Sequence, residues 1–298
     1  MLFFFEATIS GLTAGVMYAL VALGFVLIFK ASGVFNFAQG VMALFAGLTL
    51  VGFMEEFGMP IWLAIIGTIA VMIALAWLIE RLVLRKLVNQ EHIILFMATL
   101  GLTYVLEGMG DILWGSDVKV LDIGLPQGAS DWLLDNYNLY VEKLEIVAAV
   151  TAGVLVVVLA VFFQKTRIGR ALRAVADDHQ AALSVGINLH TIWVIVWSVA
   201  GIVALVAGIM WGSKSGVQFS LSLIALKALP VLMLGGFTSI PGAIIGGLII
   251  GVGEKWAEIY VGPFVGGAIE NWFAYMLALL FLLFRPQGLF GERIIERV

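Results

Sequence analysis

Long uncharged runs dominate this chain. From Ala7 to Phe29 no side chain is charged at neutral pH, and the same holds from Ala31 to Met54. Each run exceeds the roughly 20 apolar residues that carry a helix across the hydrocarbon layer of a membrane. Continued along the chain, the pattern predicts apolar spans near 7–29, 34–54, 60–79, 93–110, 146–163, 191–212, 217–235, 242–259 and 266–284. One of the two short segments that follow residue 217 is a candidate re-entrant segment, so eight or nine crossings are expected. The runs are continuous rather than alternating, which leaves helices and not a β-barrel as the spanning element. The expected fold class is all-α, a polytopic membrane helix bundle forming a single domain over 1–298.

Composition agrees. Soluble domains are roughly 45–50% apolar and about 25% charged, whereas this chain is 62% hydrophobic and 12% charged. The surplus apolar surface must face lipid. The start, Met1 to Glu6, lacks the basic region of a secretory signal, and the apolar run after it is too long for one, so the first span is expected to be retained. With no cysteine, disulfides, thiolate metal sites and cysteine nucleophiles are all excluded.

Charge placement predicts orientation through the positive-inside rule. With the amino terminus outside, the inner segments collect Lys30, Arg81, Arg85, Lys86, Lys165, Arg167, Arg170, Arg173, Arg285, Arg293 and Arg297, and the outer ones only Lys119, Lys143, Lys214 and Lys255. Eleven against four places the amino terminus in the periplasm and the carboxyl terminus in the cytoplasm. Loop 111–145, carrying seven acids against two lysines, is then periplasmic, and loop 164–190, opening with four basic residues, is cytoplasmic.

Glycines recur four apart at Gly11/Gly15, Gly242/Gly246 and Gly247/Gly251, and Ala200, Ala204, Gly208 and Gly212 continue that spacing. Small residues at this interval let helix backbones approach closely in lipid. Packing within the bundle is favoured over dimerisation. Trp62, Trp114 and Trp256, near span ends, fit interfacial anchoring.

The cytoplasmic loop holds the most informative stretch, 169–187. Alanine and leucine favour a helix there, and Gly186 is placed to end it. Leu172, Val175, Ala176, His179 and Leu183 fall on one face at helical spacing, with Arg170, Arg173, Asp177 and Asp178 as the polar positions. Such a helix either docks a soluble partner or lies in the headgroup layer.

Arg173-Ala174 followed by Asp177, Ala181 and Gly186-Ile187 resembles the coupling-loop signature of the branched-chain amino acid type of ABC importer permeases. Two more segments resemble the same family. One is Gly11-Leu12, Gly15, Tyr18-Ala19-Leu20, Ala22-Leu23-Gly24 and Asn36-Phe37-Ala38-Gln39-Gly40. The other is Lys227-Ala228, Leu234-Gly235-Gly236, Ser239 to Ala243, Gly246-Gly247 and Glu254. The resemblance runs the length of the chain, to the LivH-like subunit of the paired permeases, and urea and short-amide permeases are similar too. It implies a bacterial inner-membrane permease domain that forms half of a pathway with a second permease subunit, a paralogue or a second copy. It also implies a periplasmic solute-binding protein that delivers a small polar solute, and two cytoplasmic ATPase subunits coupled through Arg170, Arg173, Ala174, Asp177, Ala181 and Gly186. Two sites depart from the family pattern. Gln39 and Val41 stand where relatives often have His and an acid, and Leu229-Pro230 where an aromatic often follows Lys227.

No G-x-x-x-x-G-K-[ST] loop is present to cradle phosphates, and Gly-Lys never occurs. ATP hydrolysis is therefore expected on partner subunits, with no cofactor, metal or nucleic acid bound here. A membrane enzyme would need clustered His and carboxylates or a Ser with a base, but His92, His179 and His190 lie far apart. A stand-alone channel or secondary transporter remains the competing class. It would need no ATPase dock and would more often carry several intramembrane acids.

Candidate pathway or gating residues are Asn36, Gln39, Lys227, Pro230 and Glu254. Lys227 lies midway along the 217–235 span, and a cation inside a span marks a functional site or a structural ion pair. Glu107, Glu254 and Glu270 are its candidate partners. Pro230 should loosen that helix. Asn36 and Gln39 occupy a turn that either lines the inner mouth of the pathway or simply joins two spans.

Overall fold

The protein is described by a computed structural model covering residues 2–87, 90–177 and 179–291, with the side chains of Leu2, His92, Asp177, His179, Gln180, Ala181 and Asn271 also outside the described set. Arg293 and Arg297 of the orientation argument, together with Asp178, lie outside the described residues. The helices are α1 (Leu2–Ser32), α2 (Gln39–Glu55), α3 (Ile61–Leu82), α4 (His92–Trp114), α5 (Asp131–Tyr137), α6 (Lys143–Lys165), α7 (Arg167–Asp177), α8 (His179–Ser184), α9 (Leu189–Ser215), α10 (Ile224–Gly235), α11 (Ile240–Trp256), α12 (Gly262–Val265) and α13 (Glu270–Phe284). Among the described residues no strand forms, only two isolated bridges.

Six helical stretches are long and apolar enough to cross a membrane: Phe3–Ser32, Ile61–Lys86, Ile93–Trp114, Lys143–Lys165, Leu189–Ser215 and Ile240–Val265. The other three expected spans are shorter apolar helices, Gln39–Glu55, Phe219–Gly235 and Trp272–Phe284. The segment expected over 217–235 departs most from a regular span. Gly216 adopts a left-handed φ of 78° and ends α9, and Val217 exchanges two backbone hydrogen bonds with Lys119, at 2.8 and 3.0 Å. Those bonds hold residue 217 extended, so the chain enters α10 only after a tight 3₁₀ turn over Phe219–Leu223. Lys227 consequently sits in the first turn of α10, at the middle of the apolar helical stretch Phe219–Gly235.

The described residues group into two compact units, each drawn from separate stretches of chain. One comprises Leu27–Ile123 and Val154–Ala225. Its centre is α2, buried on nearly every side between α3, α4 and α9, as befits a helix that is apolar all round. The small-residue stripe of α9 faces inward: a side chain at Gly208 would strike the carbonyl of Ala43, and one at Gly201 would reach Met72 Cβ at 3.2 Å.

The other unit comprises the chain up to Val26, Gly124–Gly153 and the chain from Leu226 onward. Here α1 crosses α11 at glycines. A Cβ on Gly247 would lie 2.6 Å from the Gly15 carbonyl oxygen, and one on Gly11 would lie 2.7 Å from Val252 Cα. The four-residue spacing thus serves packing inside the protein. Ser239 caps α11 by accepting the Gly242 N–H at 3.0 Å, with Pro241 in the first turn where no amide donor is required. The end of α10 is closed by the carboxyl-terminal segment, whose Leu289 and Phe290 amides donate to the carbonyls of Leu234 and Gly235. That contact satisfies carbonyls a helix end otherwise leaves unpaired.

Candidate functional site

Lys227 finds its partner in the second of these units. Its ammonium donates to the carboxylate of Glu254 on α11 and, at 3.1 Å, to the backbone carbonyl of Glu270 at the start of α13. Of the three candidate acids Glu254 is therefore the counter-ion, while the Glu270 carboxylate meets Lys255 at 3.4 Å. Tyr18 of α1 also donates to Glu254, at 3.4 Å, and its ring lies 5.8 Å from the Lys227 ammonium. Glu254 is 1% exposed and Lys227 21%. Three helices and the head of a fourth thus converge on one charge pair. A cation in the first turn of a helix opposes the helix dipole, so Lys227 depends on this external acid.

Pro230 acts on the same turn. It has no N–H to give the carbonyl of Leu226 four residues earlier, and the Tyr275 hydroxyl of α13 donates to that carbonyl instead, at 2.6 Å. The first turn of α10 is therefore held by side chains of other helices where a backbone bond would ordinarily serve. Tyr275→Phe should remove that bond and lower stability by about 0.5–1.5 kcal/mol. Adding Pro230→Ala, which restores a backbone donor, should recover part of the loss in thermal unfolding of the purified protein.

Asn36 and Gln39 belong to the first unit, and both are fully buried. Asn36 Oδ1 accepts from the Ala38 amide at 3.1 Å, its amide nitrogen donates to Gln39 Oε1 at 3.4 Å, and Gln39 Nε2 donates to the Ala200 carbonyl of α9 at 3.3 Å. Thr99 of α4 closes the same turn, accepting from the Phe37 amide and donating to the Phe35 carbonyl. In this conformation neither Asn36 nor Gln39 is open to a solute; together they satisfy an irregular buried backbone.

In loop 164–190 the described residues are helical over Arg167–Asp177 (α7) and His179–Ser184 (α8). Thr166 caps α7 by accepting the Gly169 amide at 2.9 Å. Gly169 is required there, because a side chain would run into the carbonyls of Phe162 and Phe163 at the end of α6. Leu172 and Val175 are buried while Arg170 and Arg173 are exposed, which gives the amphipathic division expected. Leu183, expected on the apolar face, is exposed. Ala174 is half-buried, the side chains of Asp177 and Ala181 lie outside the described residues, and Gly186 at φ 85° turns the chain after α8.

One cluster escapes sequence reasoning. Glu80, at the end of α3 and 1% exposed, meets Arg85 Nε at 3.3 Å and His190 Nδ1 at 2.7 Å. It brings the end of α3 beside the start of α9, just after α8. The only signal was an acid closing an apolar run beside Arg81 and Arg85. Among the described residues no group of three His, Asp or Glu side chains converges as a metal site.

The model of the family described as "Branched-chain amino acid transport system / permease component" matches residues 7–285, which takes in loop 164–190, the Asn36 turn and the Lys227–Glu254 pair together. The chain belongs to that family. It is a multi-pass membrane protein, the permease subunit of an ABC importer. The high-affinity branched-chain amino acid transport system permease protein LivH of Salmonella typhimurium is 28% identical over 100% of this chain and 98% of its own. BraD of Pseudomonas aeruginosa, named for the same kind of system, is 29% identical over 99% of this chain and 98% of its own. Among solved structures, PsaBC from Streptococcus pneumoniae in complex with Fab aligns over 92% of this permease and 89% of its own chain, with a TM-score of 0.50 and 15% identity, a likeness of fold alone.

Proposed function

We propose that this permease forms one half of the transmembrane pathway of an ATP-driven importer for branched-chain or other small amino acids. The other half is a second permease subunit, a paralogue. A periplasmic binding protein supplies the solute, and two cytoplasmic ATPase subunits supply the energy. The observation that carries the reading is the full-length match to permeases named for branched-chain amino acid transport. It is joined by a loop that presents Arg170 and Arg173 on an amphipathic helix, in a chain with no phosphate-binding loop of its own.

In this reading 1–298 is a single permease domain that crosses the membrane eight or nine times, its amino terminus periplasmic and its carboxyl terminus cytoplasmic. The permease hydrolyses nothing. The α7–α8 segment, with Arg170, Arg173, Ala174, Asp177, Ala181 and Gly186, is the ATPase dock and transmits the conformational change. Lys227, Pro230 and Glu254 form the element of the pathway that moves. Asn36 and Gln39 hold the turn before α2 and reach solute only if that turn opens.

The test is to tag the carboxyl terminus, extract the complex in mild detergent and identify what accompanies it. A second permease and two nucleotide-binding subunits are expected, with ATP-dependent uptake of leucine, isoleucine or valine once the complex and its binding protein are reconstituted. Arg173→Glu should release the ATPase subunits and reduce uptake to background while the permeases stay paired. Uptake of urea or short amides instead would move the solute assignment. Transport by the chain alone, without ATP, would defeat the proposal.

A further inference from the structure

The region between the fourth and sixth helices contains α5, seven residues of which none is buried. Trp132 is 63% exposed, Leu134 40%, Tyr137 54% and Tyr140, just beyond the helix, 54%. A helix this short gains too little from its own hydrogen bonds to persist alone in water. At about 100° per residue, Trp132, Leu133, Leu134 and Tyr137 spread over one broad arc, with Asp131 and Asp135 together on the opposite edge. Asn136 falls within the apolar arc, but its amide is taken up by the Trp132 carbonyl at 2.8 Å. The Trp132 and Tyr137 rings lie 5.5 Å apart.

The height of this helix is set by covalent and hydrogen-bonded links to α6. Asp131 accepts from Lys143, the first residue of the apolar stretch Lys143–Lys165, at 2.7 Å. Ser130 donates its amide to the Val141 carbonyl at 2.9 Å, and Lys143 donates its own to Gly128 at 2.8 Å. The start of α5 is thus clamped beside the first residue of the apolar stretch Lys143–Lys165. Lys143 holds the Asp131 carboxyl below the usual carboxylate range. The ion pair is therefore in place at and above the ordinary aspartate pKa and is lost only as pH falls through the lowered value.

We propose that α5 is a membrane-surface anchor whose Trp132, Leu134 and Tyr137 sit in the headgroup layer of the lipid bilayer, beside the entry of α6. Tryptophan and tyrosine favour that layer because their rings are apolar and their N–H and O–H groups stay wet. The acidic edge faces water, with Asp131 already occupied by Lys143 and not on offer to a protein partner. The inference needs α6 to span the membrane but not the solute, the ATPase or the orientation proposed above.

Because the chain contains no cysteine, single labels can be placed without altering a background. Trp132→Cys, Tyr137→Cys and Asp135→Cys, each carrying a nitroxide, would be compared in the assembled importer in lipid nanodiscs. Collision with dissolved oxygen, which concentrates in lipid, is measured against collision with a water-soluble nickel chelate. The ratio of oxygen to nickel collision should be several-fold higher at 132 and 137 than at 135. Equal, nickel-dominated collision at all three positions would overturn the anchor. Protection from both reagents at 132 and 137 would also overturn it and assign the face to a protein partner.

Discussion

Lys227→Met should abolish solute uptake, and thermal unfolding of the purified chain should show why. The substitution removes the cation from Glu254, which is 1% exposed and, among the described residues, otherwise accepts only the longer Tyr18 hydrogen bond. Breaking a buried ion pair from one side costs about 3–5 kcal/mol, because a charge is left without compensation. The double variant Lys227→Met/Glu254→Gln removes both charges and should recover most of that stability, since replacing a buried pair altogether is often near neutral. If the pair belongs to the moving element of the pathway, the double variant assembles with its partners and still fails to transport. Near-normal uptake by the stable double variant would show that the pair serves packing alone. The two readings that sequence leaves open, structural pair and functional site, are separated by that comparison.

Gly15→Leu should prevent the chain from folding as a bundle. At this crossing of α1 and α11 the obstacle is backbone: a Cβ on Gly15 would strike the Gly247 carbonyl and lie 3.0 Å from Leu248 Cα. No rotamer change relieves a clash with backbone, so the cost should reach or exceed the ~3 kcal/mol upper range for overpacked sites. Tyr18 would be drawn apart from Glu254 as well, because α1 carries the one and α11 the other. The expected result is loss of the monodisperse peak in size-exclusion chromatography and of the assembled complex. Gly101→Ala is the control. A Cβ there meets nothing within 4 Å, and alanine favours a helix over glycine by up to about 1 kcal/mol, so stability should hold or rise slightly. A well-folded Gly15→Leu chain would mean that α1 and α11 do not cross at these glycines.

Much of this architecture was legible along the chain because membrane solvent imposes a one-dimensional rule. A span must be apolar over its whole length, and six of the expected segments fall on helices long and apolar enough to cross a membrane, the other three on shorter apolar helices. The glycine spacing was equally readable, since close backbone approach requires small residues at an interval of four. The amphipathic loop was visible for the same reason, with Leu172 and Val175 buried and Arg170 and Arg173 exposed. The break between Gly216 and α10 was not legible, because it depends on a bridge between Val217 and Lys119, residues remote in sequence. Periodicity alone therefore read one continuous span where an extended residue 217 and a 3₁₀ turn precede α10.

By its pattern of apolar and charged residues alone, the chain determined that it is a helical membrane protein, where its apolar segments fall and which loop is basic; its motifs carried the family resemblance. The tertiary structure alone decided which acid neutralises Lys227, that Tyr275 supplies the hydrogen bond Pro230 cannot, that Asn36 and Gln39 are buried, and that Glu80 holds Arg85 and His190. The physical reason is the same in each case. Transfer into lipid depends on each residue's own chemistry and is written locally. Pairing depends on which helices meet, and the partners here stand 27, 49 and 161 residues apart.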